Sequence, residues 1–177
     1  GALARQVGFL FQNPERQIFS ATVSDEVAFG PRNLGLAADV VAQRVRQALA
    51  RFELTDLATQ PPAMLSFTQR RRVTLAAVAA LETPILVLDE PTVGLDAEAC
   101  ASVLAWLHER HAQGVTLLLV THDLALVAAH AQRVLVMQGG RLVAAGPPAL
   151  VLAQRDLLAQ AGLLAAPAPM QEQPDAL

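Results

Sequence analysis

Two adjacent carboxylates follow an apolar run in the middle of the chain, and they are the residues best placed to do chemistry. Ile85–Leu88 is uniformly aliphatic, and Asp89 and Glu90 come directly after it. In a parallel sheet both carboxylates would lie at the carboxyl edge, where α/β proteins bind ligands. One can hold Mg²⁺ directly or through water, while its neighbour orients or deprotonates water for attack on a phosphate. Taken alone, the pair fits equally well a strand that ends in a solvated turn.

A second apolar run, Val115–Val120, ends two residues before His122. If the two runs form neighbouring strands, His122 lies at the same sheet edge, where its imidazole can hydrogen-bond a terminal phosphate or the attacking water. The loop Gly94–Asp96 could also reach this site, although an N-cap for the helix from Ala97 onward is the better interpretation of Asp96. The other histidines are interpreted as ordinary surface or core residues: His108, His111 and His130.

Apolar runs alternate with helical patterns, which predicts an α/β fold with a mostly parallel sheet. Because the runs are uniformly apolar, we expect the strands to be covered on both faces. The first helix is expected to be capped by Thr22 or Ser24 and to be closed by Gly30 and Pro31. The predicted strands are 7–11, 85–88, 115–120 and a hairpin over 134–145 that turns at 139–140, and the predicted helices are 22–29, 39–52, 68–81, 98–112, 124–131 and 148–161.

Composition sets limits on the function. The chain has 177 residues, 53% of them hydrophobic, and a net charge of −3, which fits a compact domain. No apolar run approaches the roughly 18 residues of a membrane-spanning helix. The lone Cys100 leaves no intramolecular disulfide, so a reducing, cytoplasmic setting is expected. The acidic balance and the absence of a basic stripe argue against a nucleic-acid partner.

These segments, in this order, resemble the ATP-binding domain of ATP-binding-cassette (ABC) transporters over residues from about Arg5 to Ala165. Five motifs at family-like spacing carry the resemblance, and such a series rarely arises by chance. Gln12 resembles the Q-loop glutamine, Leu65–Gln69 (LSFTQ) the signature motif, Ile85–Pro91 the Walker B strand with its catalytic glutamate, Gly94–Asp96 the D-loop and His122 the switch histidine.

The resemblance implies a P-loop NTPase-like fold with a mostly parallel sheet, flanking helices and a small helical subdomain at about 22–81. The partial ABC domain would span 1–165, and 166–177 would form a flexible tail. The resemblance also implies that two such domains, identical or different, pair head to tail and enclose two ATP molecules.

Residue roles follow from the same resemblance. Asp89 would hold Mg²⁺, Glu90 would act as general base, and His122 would contact the γ-phosphate. Ser66 would serve the opposite domain's nucleotide, helped by the amides and dipole of the helix that begins there. The nucleotide-binding residues implied are Gln12, Ser66, Gln69 and Asp96, and the metal ligands implied are Asp89 and Gln12.

The segment Phe11–Leu36 is similar to a narrower group, the cobalt-type and energy-coupling-factor importers of vitamins and transition metals. In that group the segment after the glutamine faces the coupling helices of a transmembrane scaffold subunit, and a separate membrane subunit recognises the substrate. The chain would then be cytoplasmic and peripheral on the inner face of the cell membrane. The contact candidates are Gln17, Ile18, Phe19 and Glu26.

The sequence departs from the family pattern at two places. An ABC ATPase needs a glycine-rich loop with a lysine to hold the phosphates, and all 13 basic residues here are arginine. We therefore expect the N-terminal part of the domain, with that loop and several strands, to be absent from these 177 residues. In the signature, Phe67 and Thr68 replace two glycines, which crowds the approach to a phosphate and predicts weak binding of the opposite nucleotide.

Two functions remain open. The first is the C-terminal portion of an ATP-hydrolysing importer subunit, which on its own neither binds ATP tightly nor hydrolyses it. The second is a catalytically degenerate half that scaffolds a partner ATPase, which the altered signature favours and the intact Glu90 and His122 oppose. A third class, cassette ATPases that act on DNA or ribosomes, is disfavoured, because their long coiled-coil or basic inserts are not visible in this sequence and the net charge is negative. Arg70–Arg72 resemble the family, and a solvated helix face explains them equally well.

Overall fold

The computed structural model describes residues 3–164, which contain both strands and helices. The expected α/β class is confirmed, and the tail expected at 166–177 lies outside the described residues. In chain order the strands and helices are β1 (Val7–Leu10), α1 (Val23–Asn33), α2 (Ala38–Arg51), α3 (Phe67–Leu81), β2 (Ile85–Asp89), α4 (Ala97–Ala112), β3 (Thr116–Val120), α5 (Leu124–His130), β4 (Val134–Gln138), β5 (Arg141–Gly146), α6 (Pro148–Leu152) and α7 (Arg155–Gln160).

The first three strands form a parallel sheet with β2 in the middle, in the order β1-β2-β3. Leu88 lies opposite Leu10 on one side and Leu119 on the other, and Asp89 lies opposite Val120. Because the strands are parallel, their carboxyl ends meet at one edge of the sheet. The central strand therefore delivers Asp89 to the middle of that edge.

The described chain divides into two compact units between Val120 and Thr121. The first contains the parallel sheet and helices α1 to α4. The second contains α5, the antiparallel hairpin β4–β5 and helices α6 and α7, around a small core of Val136, Val151 and Leu158. None of the helices in residues 3–164 combines the length and apolar character that a bilayer crossing requires.

The parallel sheet is covered on one face by its own unit. Leu10 and Leu88 are fully buried beneath the helices, whereas Phe9, Leu118 and Val120 on the opposite face remain 42–52% exposed. The expectation that both faces are covered is thus wrong within the first unit, residues 3–120. An apolar run indicates that a strand is suited to burial, but it does not specify which segment covers each face.

Helix α1 is longer than expected, because it continues through Gly30 and Pro31 to Asn33. Gly30 serves packing there, since a Cβ on it would lie 2.5 Å from Cδ2 of Leu81 in α3. Pro31 falls near the end of the helix, where its missing N–H removes a single backbone hydrogen bond. Thr22 is the N-cap, as predicted, and its side chain accepts a hydrogen bond from the Asp25 N–H.

Helix α2 buries one face of apolar side chains. Phe52 just beyond it packs edge-on against Trp106 of α4 with ring centroids 5.4 Å apart. Helix α3 begins at Phe67, one residue earlier than predicted. It packs on α1, α2 and β1, so it connects the helical layer to the sheet. The buried residues of α2 are Val41, Val45, Ala48 and Leu49.

The last predicted helix is in fact two helices, α6 and α7, separated at Ala153–Gln154. The Gln154 side-chain amide donates to the Leu150 carbonyl at 3.2 Å, which supplies a hydrogen bond at the break. The predicted hairpin turn is confirmed. Gly139 and Gly140 have φ values of 55° and 75°, the conformation that a two-residue hairpin loop favours.

Candidate functional site

Glu90 occupies an unusual and tightly held position just after β2. Its φ is +48°, in the left-handed region that costs a non-glycine residue roughly 1–3 kcal/mol. Its N–H donates to the Val120 carbonyl at 2.8 Å, its own carbonyl accepts from Arg71, and the residue is 7% exposed. Such a conformation persists only where the surroundings hold it, so the fold fixes the backbone of this carboxylate.

Arg71 of α3 is fully buried and joins two strand ends. Its Nη1 donates to the carbonyls of Phe11 at 2.6 Å and Gln12 at 3.0 Å. Its Nη2 donates to the carbonyls of Asp89, at 2.9 Å, and Glu90. One guanidinium therefore ties the end of β1 to the end of β2, and the interpretation of this arginine as part of a solvated face is wrong.

Helix geometry explains why the three successive arginines differ. Neighbouring residues of an α-helix point about 100° apart, so Arg70 and Arg72 flank the inward residue. Arg70 approaches Glu15 at 3.4 Å, and Arg72 pairs with Glu53 at 2.5 Å. Spacing along the sequence could have identified the inward one, because Arg71 stands four residues before Leu75 and seven before Val78, both buried.

Burial and the neighbouring charges shift the pKa of Arg71 in opposite directions. Loss of solvent lowers the pKa of the guanidinium, while the Asp89 and Glu90 carboxylates raise it. An arginine begins so far above neutrality that it stays protonated. Its four carbonyl partners supply the hydrogen bonds that make a buried cation tolerable.

The Asp89 carboxylate fits the role of a single metal ligand. It is half-buried at the strand end, and within residues 3–164 it accepts no hydrogen bond. The same residues contain no cluster of three or more His, Cys, Asp or Glu side chains that could hold a metal alone. Nucleotide-bound Mg²⁺ usually takes one or two protein ligands, with phosphates and water completing the shell. Gln12 is exposed, so its side chain remains a candidate for a second ligand.

Ser66 and Gln69 form a capping box at the start of α3. The Gln69 N–H donates to Ser66 Oγ at 3.2 Å, and the Ser66 N–H donates to Gln69 Oε1 at 2.9 Å. Such reciprocal bonds satisfy amides that a helix start leaves unpaired. Both side chains thus have a structural role within the chain, and their implied role toward the opposite domain's nucleotide stays a prediction.

Phe67 and Thr68, in the segment that resembles the signature motif, contact the loop that follows β2. A Cβ on Gly94 would lie 2.4 Å from Cε1 of the Phe67 ring, so the ring covers this glycine. Thr68 Oγ1 donates to the Gly94 carbonyl at 2.8 Å. We call these two contacts the clasp. Asp96, two residues on, is the N-cap of α4 as interpreted, with its carboxylate accepting from the Ala99 N–H at 2.8 Å.

Two side chains that we expected to contact a partner, those of Glu26 and Gln17, instead form hydrogen bonds within the chain. Glu26 is 4% exposed, and its Oε2 accepts from the N–H groups of Phe19 at 3.1 Å and Ser20 at 2.8 Å. Gln17 Oε1 accepts from the Phe11 N–H at 3.2 Å. The expectation that Glu26 meets a partner is therefore wrong, because its carboxylate is committed to the backbone of the loop that presents Phe19.

Phe19 itself projects outward. It is 64% exposed and packs edge-on against Phe29, which is 44% exposed, with ring centroids 4.5 Å apart. A groove of about 440 Å³ adjoins it, which we call the loop groove. The loop groove is lined by Glu15, Ile18, Phe19, Ser20, Pro62, Ala63 and Arg70.

His122 belongs to the second unit. The pairing of β2 with β3, on which its predicted position depended, is confirmed. Asp123 next to it caps α5, since its Oδ1 accepts from the N–H groups of Ala125 at 2.9 Å and Leu126 at 3.0 Å. The approach of His122 to Glu90 stays a prediction.

Paired carboxylates at the carboxyl end of a central parallel strand, with a helix start tied to the loop that follows, are an arrangement typical of ligand-binding α/β domains. The sequence profile of the ABC transporter family matches residues 1–93, slightly more than half of the chain. The chain therefore belongs to the ABC transporter family, and the resemblance found in the sequence is confirmed.

Comparisons with known proteins show which members of the ABC transporter family are similar to this chain. The cobalt import ATP-binding protein CbiO of Rhodobacter capsulatus is 45% identical over 159 residues, which cover 90% of this chain and 57% of that protein. The energy-coupling factor transporter ATP-binding protein EcfA of Methanothermobacter thermautotrophicus is 38% identical, over 91% of this chain and 52% of that protein.

A solved structure agrees with these relatives. The structure of cbiO1 from Clostridium perfringens, part of the ABC transporter complex cbiONQ, is 36% identical and superposes with a TM-score of 0.72. The match covers 92% of this chain and 65% of that one. The chain thus spans between half and two thirds of the length of these three proteins.

Proposed function

We propose that this chain is the portion of an ATP-hydrolysing subunit that bears the signature and the catalytic carboxylates, and that the subunit powers an importer of a vitamin or a transition-metal ion. The observation that carries the proposal is the fixed left-handed backbone of Glu90 at the end of the central strand. The name of one relative, a cobalt import protein, supports the direction of transport, and the name of another supports a role in an energy-coupling factor transporter.

In this proposal each of the described residues has a separate role in hydrolysis. Glu90 takes the proton from the attacking water, and His122 contacts the γ-phosphate of ATP. Asp89, with Gln12, would hold Mg²⁺, which would supply the positive charge that balances the phosphates. The proton of the attacking water and the negative charge of the phosphates would thus be taken up by different groups, the proton by Glu90 and the charge by Mg²⁺.

A second ABC domain, identical or different, completes the site. The exposed start of α3 supports this, because the helix dipole favours an anion there. Ser66 and Gln69 would then face the opposite domain's nucleotide, with Asp96 near the junction. We assign 1–165 to a partial ABC domain in which about 22–81 form the helical subdomain.

A transmembrane scaffold subunit would dock at the loop groove and place the protein on the inner face of the cell membrane. The exposed edge-on pair of Phe19 and Phe29 supports this site, since aromatic side chains are enriched where proteins meet. Ile18 lines the same groove. Gln17 is half-buried and bonded within the chain, so Phe19 is the principal contact candidate.

Reconstitution tests the proposal directly. The 177 residues contain no lysine for a phosphate-binding loop, so we expect no ATP hydrolysis from them alone. A full-length version that includes such a loop, reconstituted with its membrane subunits in liposomes, should couple ATP hydrolysis to uptake of Co²⁺, Ni²⁺ or a vitamin.

Substitution of the metal ligand provides the control for that experiment. Asp89→Asn in the full-length version should abolish both hydrolysis and uptake, because it removes the only negatively charged ligand assigned to Mg²⁺. Full hydrolysis by Asp89→Asn, or turnover by the 177 residues alone, would contradict the assigned roles.

The clasp favours a second candidate function, that of a degenerate half that scaffolds a partner ATPase. The phenyl ring of Phe67 and the hydroxyl of Thr68 stand where the family places glycines, and both are committed to Gly94 of the same chain. A signature closed in this way would leave the opposite nucleotide poorly bound.

Restoring the glycines distinguishes the two candidates. The double substitution Phe67→Gly, Thr68→Gly in the full-length version should raise the ATPase rate severalfold, because the backbone regains its approach to the phosphate. The double alanine variant removes the same side-chain contacts while leaving the backbone restricted, so it should raise the rate less. An unchanged rate in the glycine variant would remove the clasp as a reason for weak binding.

A further inference from the structure

The Arg71 guanidinium bonds to two chain segments that the proposed function uses separately. On one side are the carbonyls of Phe11 and Gln12, where the loop that forms the loop groove begins. On the other are the carbonyls of Asp89 and Glu90. A fully buried charged group that makes four bonds of this kind sets the distance between the two segments.

The bonds to β2 act on both peptide groups that flank Glu90. The Asp89 carbonyl belongs to the peptide before it, and the Glu90 carbonyl to the peptide after it. The Glu90 N–H is held in turn by Val120. Because the backbone is left-handed at this residue, loss of these bonds would let it relax to a common conformation and turn the carboxylate away.

We propose that Arg71 is a positioning residue that sets the Glu90 carboxylate relative to Gln12 and so connects the partner-facing loop to the hydrolytic site. The inference rests on the proposed function, which assigns the segment at Gln12 to the partner-facing loop and the segment at Glu90 to hydrolysis. The hydrogen bonds of Arg71 themselves lie within the chain. Arginine suits this task because its planar fork directs two nitrogens to two pairs of acceptors, whereas a lysine offers a single point of charge.

Amide exchange in the 177-residue chain tests the local part of the inference without any ATP chemistry. In Arg71→Met, the amides of Glu90 and Val93 should exchange on the order of 10-fold faster, because the bonds that hold the turn are lost. The amide of Cys100, in the first turn of α4, is the internal reference and should not change. Arg72→Met is the matched control and should leave all three amides unaffected.

Kinetics in a full-length version test the functional part. Misplacement of a catalytic group by about 1 Å can cost on the order of 100-fold, so Arg71→Met should lower kcat by that order. The KM for ATP should stay nearly constant, since the Arg71 guanidinium is committed to four backbone carbonyls of its own chain. Arg71→Lys keeps the charge and fills the site, so it should restore folding and recover kcat only in part.

The outcomes separate this inference from the proposed function. Unchanged exchange at Glu90 and Val93 in Arg71→Met would overturn the positioning role, and so would a kcat that matches the parent protein. If Arg71→Met does not fold, full kcat in Arg71→Lys would overturn it equally. Failure of ATP hydrolysis to depend on Glu90 itself would instead contradict the proposed function, while the exchange result would still test Arg71.

Discussion

Replacing Glu90 with glutamine should lower ATP hydrolysis by a full-length version of this protein about 10²- to 10⁴-fold, the range of a lost general base. The amide has nearly the same shape as the carboxylate but cannot take a proton from water. The two backbone bonds that hold this residue do not involve its side chain, so they persist in the variant. Binding of ATP should therefore be retained, and the loss should fall on kcat.

The measurement is steady-state hydrolysis alongside equilibrium binding of ATP. Glu109→Gln is the matched control, because Glu109 is exposed on α4 and pairs with Arg51 at 3.0 Å, a surface ion pair worth little. It should leave both quantities unchanged. Equal hydrolysis by Glu90→Gln and the parent protein would show that another group accepts the proton.

The sequence was sufficient to predict the carboxylate edge of this site because its signals are local. An aliphatic run followed by Asp89 and Glu90 specifies a buried strand with charged residues at its end, and the parallel pairing with β3 confirmed it. The Thr22 and Asp96 caps were predictable for the same reason, since a cap acts over three residues.

Other features depend on contacts between distant segments, and the local pattern did not contain them. The position of Gly30 looked like a helix end, yet it serves the close approach of Leu81, 51 residues further along the chain. The clasp on Gly94 requires the start of α3 to meet a loop after β2. The inward position of Arg71 was not predicted because an arginine flanks it on each side, although its spacing from Leu75 indicated the inward face of the helix.

The sheet that carries the site should depend strongly on Leu88. This residue is fully buried on the central strand, between Leu10 and Leu119. Leu88→Ala would leave a cavity with neighbours on both adjacent strands, which costs about 2–5 kcal/mol of unfolding free energy. Urea denaturation followed by fluorescence of Trp106, the sole tryptophan, measures this loss in the 177-residue chain.

The matched control is a leucine on the neighbouring strand that faces the other way. Leu118 is 48% exposed, so Leu118→Ala removes the same atoms with little cavity and should change the unfolding free energy by less than about 0.5 kcal/mol. The contrast matters for function because Leu88 immediately precedes Asp89, and a sheet that relaxes around a cavity there would also move the carboxylates. Similar losses in the two variants would mean that the two faces of the sheet are equally buried, contrary to the exposure of Phe9, Leu118 and Val120.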